Sequence, residues 1–171
     1  MERSTTPFGT PRLLGIYLND HLAGATGGVE LLRRAARAQR GRSRGPQLAE
    51  LAEEVASDRA ALQQIMADLG IPVQRAKTAL GWLAEKAGRL KLNGHLLSRS
   101  PLSDVLDLEM MRLGVEGKTS CWRSLRAIAD TDSRLDTARL DGLLQRAGRQ
   151  AEVLEALRTA AAVETFGSPR D

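Results

Sequence analysis

Residues 46–72, PQLAELAEEVASDRAALQQIMADLGIP, spell out one amphipathic helix together with its start and its stop. Leu48, Leu51, Val55, Leu62, Met66 and Leu69 recur at spacings of three, four or seven, which places them on a single helix face. Pro46 suits the first helical position, where a missing N–H loses no partner. Gly70 suits the C-terminal cap, and Pro72 blocks continuation. The expected helix covers 46–69.

The same periodicity and punctuation extend outward in both directions. Upstream, Leu14, Leu18, Leu22, Ala25, Val29, Leu32 and Ala36 stripe a helix over 11–40. Gly24, Gly27 and Gly28 lower its intrinsic helicity and mark either a break or the close approach of a neighbouring helix. Residues 41–45 form a short basic loop. Downstream, a shorter helix over 72–92 carries Val73, Ala76, Leu80, Leu83, Ala87 and Leu90 and stops at Asn93-Gly94. Ser100-Pro101 with Ser103 and Asp104 opens a helix over 101–129, with a hydroxyl cap and negative charge in its first turn. Ser133 with Asp136 resembles a capping box at the start of the last helix, 134–166. Residues 1–10 read as a disordered leader and 167–171 as a fraying tail, around one domain over 11–166.

Composition agrees. Only 3% of the 171 residues are aromatic, while Ala, Leu, Arg and Glu dominate, a mixture that favours helix over sheet. A hydrophobic fraction of 42% and a charged fraction of 27% suit a soluble globular domain rather than a disordered chain. The single cysteine, Cys121, excludes an internal disulfide and a multi-cysteine zinc site, and it reads as a small core or boundary residue. No apolar run is long enough to span a membrane and no signal peptide opens the chain, so a cytoplasmic bacterial protein is expected.

Loop lengths carry the topology. Short loops join the first helix to the second and the fourth to the fifth, so each pair is expected to be an antiparallel hairpin. Between the pairs lie about 30 residues, mostly the 72–92 helix, which at 1.5 Å per residue returns the chain along the bundle. The expectation is an all-α four-helix bundle of two antiparallel hairpins with an extra helix in the long crossover. In that layout, and in the carboxylate-bearing run Leu108-Glu109-Met110-Met111-Arg112-Leu113-Gly114-Val115-Glu116-Gly117-Lys118, residues 11–165 resemble the ferritin-like superfamily. The resemblance implies a core that in many members holds two metal ions.

The ligand pattern of such a site is not retained. Glu-x-x-His projects two ligands from one helix face, and neither His21 nor His95 follows a glutamate by three residues. Glu30, Glu152 and Glu155 fall off their apolar stripes and read as solvated. Glu109 and Glu116, a heptad apart, fall inside a stripe of Leu102, Val105, Leu106, Leu113, Ser120 and Ala127. Asp58 and Arg59 flank the second helix's stripe, His21 and Gln150 fall in the first and last, and Arg146 lies at the edge of the last.

Counting from a shared bundle end brings Glu116, Asp58, Arg59, Gln150 and Ala25 to one level. A polar core layer of Glu109, Glu116, Asp58, Arg59, Gln150 and His21 is therefore expected, since unpaired buried charge is prohibitive. Three uses follow: ion pairs of Glu116 with Arg59 or Arg146 that set register, a pocket for water or a small molecule, or a reduced metal site for iron or another divalent ion. Arginines nearby oppose the last, because they compete for the same carboxylates. No metal ligand set and no cofactor are assigned.

Arg33, Arg34, Arg37, Arg40, Arg42 and Arg44 form a basic run with no acidic residue inside it. It complements a helix C-terminus, and alternatively forms a phosphate-backbone patch. The basic, apolar-faced 72–92 helix with Trp82 fits a crossover covering its own bundle. No hydrolase elbow, phosphate loop or catalytic residue is found. The function expected is non-catalytic binding or scaffolding, through a protein partner or self-association. A carboxylate metal or redox protein, and a nucleic-acid-associated protein using the arginine run, are the alternatives.

Overall fold

The computed structural model describes residues 10–74 and 101–167, which form four helices and no strand. They are α1 (Thr10–Ala38), α2 (Gly45–Asp68), α3 (Pro101–Ile128) and α4 (Thr137–Phe166). The leader over 1–9, residues 75–100 with Trp82 and His95, and residues 168–171 lie outside the described residues. No helix among the described residues is long and apolar enough to cross a membrane.

One apolar core joins the four helices. α2 contributes Leu48, Leu51, Val55, Leu62, Ile65 and Met66, and α4 contributes Leu140, Leu143, Ala147, Leu154, Leu157 and Ala161. Leu18, Leu22, Val29 and Leu32 come from α1. Fully burying each large side chain stabilises by about 1.5–3 kcal/mol, so the stripes outweigh the modest propensity of these sequences. α1 lies along α2, α3 lies along α4, and α1 meets α3.

The pairings keep a strict order. Along α3 and α4, Arg126 meets Asp141 at 3.0 Å, Arg112 meets Glu155 at 3.4 Å and Glu109 meets Arg158 at 3.9 Å. Between α1 and α2, Arg33 meets Glu53 at 3.6 Å, and a Cβ on Gly15 would touch Ile71 at 3.7 Å. Between α1 and α3, Tyr17 meets Ser124 at 3.1 Å and Gln39 donates to Asp104 at 2.7 Å.

The helix ends have local causes. Gly70, at φ +69°, closes α2: its N–H bonds Ala67 O at 3.0 Å and the Ile71 N–H bonds Met66 O at 2.8 Å. This is the Schellman arrangement, and the left-handed residue is a glycine because a Cβ would be strained there. At the first residue of α2, a Cβ on Gly45 would sit 2.5 Å from Gln39 O, so the close turn there requires glycine. α4 starts at Thr137, capped by Asp136, whose carboxylate accepts from the Arg139 N–H at 3.0 Å; the cap expected at Ser133 is therefore three residues too early.

Two further expectations need correction. Residues 72–74, expected to open a helix, are not helical. Asn19 of α1, 8% exposed, takes their backbone groups instead. Its amide donates to Pro72 O at 3.2 Å and its oxygen accepts from the Gln74 N–H at 2.7 Å, which holds the segment against α1. α1 also runs unbroken through Gly24 and Gly28, and no described atom lies within 4 Å of a Cβ built at either. Neither a break nor a close contact among the described residues explains those glycines.

A buried charge cluster and a basic end

Asp58 sits in the centre of the α2 stripe, three residues after Val55 and four before Leu62, and is 1% exposed. Gln150 holds the equivalent place on α4, between Ala147 and Leu154, and is also 1% exposed. A carboxylate buried this far requires hydrogen-bonded countercharge. Lys118 of α3 supplies it at 2.5 Å from Asp58 Oδ2, and the same ammonium donates to the Gln150 carbonyl oxygen. Arg146 of α4 donates through Nε to Asp58 Oδ1 at 2.7 Å, with its terminal nitrogen at 2.5 Å. The Gln150 amide donates to Glu54 at 2.8 Å and to Asp58 Oδ2 at 3.2 Å.

Two carboxylates thus face two cations, so the cluster is neutral, and both oxygens of Asp58 are engaged. Burial pushes the Lys118 ammonium below its ordinary value, and the attraction of Asp58 opposes that shift. A neutral, mutually bonded set ties α2, α3 and α4 together at mid-height, and an axial slip of any one helix would break it.

Of the residues expected in a polar layer, Asp58 and Gln150 come together. Glu109 and Glu116 do not join them. Glu116 is exposed and lies 3.9 Å from Arg112, and Glu109 is 45% exposed and lies 3.9 Å from Arg158. The phase of α3 is the reason. Its buried stripe is Val105, Leu108, Met111, Val115, Trp122 and Leu125, while Leu113 is 61% exposed. Trp122, 1% exposed, is the largest side chain of the buried set and outweighs the alternative face. Arg59 is partly buried with its Nε unbonded among the described residues. His21 packs edge-on to Tyr17 at 4.5 Å, its pKa lowered by burial against the pull of Asp20.

Lys118 escaped the sequence reading. Its signal was its place three residues after Val115 and four before Trp122, on the true stripe. Cys121, 1% exposed, is a core residue whose thiol burial pushes up to about 12.

The arginine run occupies one end of the molecule. Arg33 lies 3.9 Å from Glu30 and 3.6 Å from Glu53, and Arg44 pairs with Glu164 of α4. Arg34, Arg37, Arg40 and Arg42 are exposed and form no ion pair among the described residues. A surface groove of about 490 Å³ runs between the end of α1 and the start of α2, lined by Arg33, Arg37, Arg40, Pro46, Ala49 and Glu53 among others.

No protein-family model, no curated protein and no solved structure matches this chain.

Proposed function

We propose that this chain is a non-catalytic helical-bundle protein, ferritin-like in layout, that acts by binding or scaffolding. The pairing order supports two antiparallel hairpins: on α3 and α4, and again on α1 and α2, one partner's number rises as the other's falls. A long crossover is supported too. α2 finishes beside Gly15 and α3 begins beside Gln39, 24 positions further along the chain, which is about 36 Å of helix.

The observation that carries the functional reading is the engagement of Asp58. Its two oxygens are held by Lys118 and Arg146, and a metal ion would have to displace both cations. Glu109 and Glu116 lie toward solvent, beside arginines. This arrangement suits a core whose polar groups hold helix register, leaving activity to the surface. Iron titration of the purified protein tests it. No stoichiometric uptake is expected; uptake of metal that disappears in Asp58→Asn would refute the reading and favour a reduced carboxylate site.

A further inference from the structure

The basic end of the molecule is electrostatically incomplete. Arg33 and Arg37 stand four residues apart on one face of α1, and Arg40 follows in the turn just past its end at Ala38. Like charges four apart on a helix, as Arg33 and Arg37 are, repel by a few tenths of a kcal/mol in isolated helices. The first residues of α2 lie beside them. Arg44 occupies the cap position of α2 with no side-chain capping bond, so a further cation stands at a helix end that favours negative charge. Among the described residues Glu53 is the one carboxylate lining the groove, and Arg33 already holds it at 3.6 Å. Arg37 and Arg40 line the same groove and have no ion-pair partner among the described residues.

We propose that this groove, with the neighbouring Arg34 and Arg42, binds the phosphodiester backbone of nucleic acid without base selectivity. The proposal names the partner for the binding role above and rests on that role. The cations in the run are all arginine, whose planar fork matches phosphate oxygens two at a time. The groove walls between them are small residues, Ala49 and Pro46, which let a backbone approach and provide no stacking surface or polar group to read a base. A bilayer is the competing polyanion, because Val163 and Phe166 are exposed on α4 near Glu164, the partner of Arg44. Among the described residues the groove itself has no large apolar side chain to insert, which favours nucleic acid.

Fluorescence anisotropy of a labelled, mixed-sequence DNA duplex, titrated with the full chain, tests this. With about four phosphates neutralised, affinity should fall about 150-fold between about 50 and 200 mM salt. Arg37→Gln with Arg40→Gln should weaken binding and flatten the log–log salt slope by about 1.8. Both residues are exposed, so folding should survive. The charge-matched pair Arg123→Gln with Arg149→Gln, exposed on α3 and α4, should change neither. Absence of binding at the lower salt would overturn the proposal, as would equal losses in both double variants. Binding to phosphatidylserine vesicles without binding to duplex would overturn it in favour of a membrane surface. Metal uptake at Asp58 would sink the non-catalytic reading and leave this outcome unaffected.

Discussion

Replacing Lys118 with methionine keeps an unbranched apolar stem on α3 and removes the ammonium. Asp58, 1% exposed, then keeps Arg146 and the Gln150 amide, while the Gln150 carbonyl oxygen loses its donor. At an effective dielectric near 20, a pair of unit charges about 4 Å apart gains about 4 kcal/mol, against a desolvation penalty of several kcal/mol per ion. The intact cluster therefore comes close to break-even relative to an apolar core, but without Lys118 two carboxylates, Asp58 and Glu54, face the single cation Arg146. Lys118→Met should lose about 3–5 kcal/mol, the range for breaking a buried pair. For a chain of this size that lowers the melting temperature by roughly 6–20 °C.

The double variant Asp58→Leu, Lys118→Met removes both charges. It should be more stable than the sum of its single-variant losses predicts, by about 1 kcal/mol or more. Urea unfolding followed by far-UV circular dichroism and tryptophan fluorescence supplies all four corners of the cycle. A Lys118→Met loss below about 1 kcal/mol, the value of a surface pair, would refute the cluster as a buried register device. So would strict additivity in the cycle.

Other outcomes follow from the same packing. Leu108→Ala should destabilise by about 2–5 kcal/mol and Leu113→Ala by about 0.5 kcal/mol or less; the reverse order in urea midpoints would return α3 to the other phase. Cys121, with its thiol pushed up to about 12, should resist an aromatic disulfide reagent in native buffer and react fully once denaturant is added. Fast stoichiometric labelling of the native chain would contradict its burial. His21 has a folded pKa below its ordinary 6.5, so the unfolded chain takes up the proton first as pH falls. Stability should therefore decline as pH drops below that value, and His21→Gln should flatten the decline in urea midpoints; an unchanged profile would remove His21 as its source.

Much of this architecture is legible in local spacing. The α2 stripe and its end at Gly70 were readable because a 3.6-residue period and a left-handed glycine are properties of short sequence windows. The spacing marks Asp58 as flanking its stripe and Gln150 as lying within its own, and the two do meet. α3 is ambiguous because apolar residues occupy two of its faces: Leu102, Leu106 and Leu113, taken with Val105, mark one, and Leu108, Met111, Val115 and Trp122 mark the other, which Val105 joins in the fold. A period alone gives no rule for choosing between them.

The sequence by itself thus determined an all-helical chain with amphipathic segments and most of their punctuation, because hydrogen bonding and capping act within a few residues. Only the tertiary structure decided how far each helix rotates about its axis, and so which charges become partners. Lys118 reaches Asp58 across 60 residues of chain, and Gln150 reaches it across 92. Rotation is set by the summed burial of three neighbouring helices, which no window on one of them contains. That rotation carried Glu116 out to solvent and brought Lys118 to the buried carboxylate.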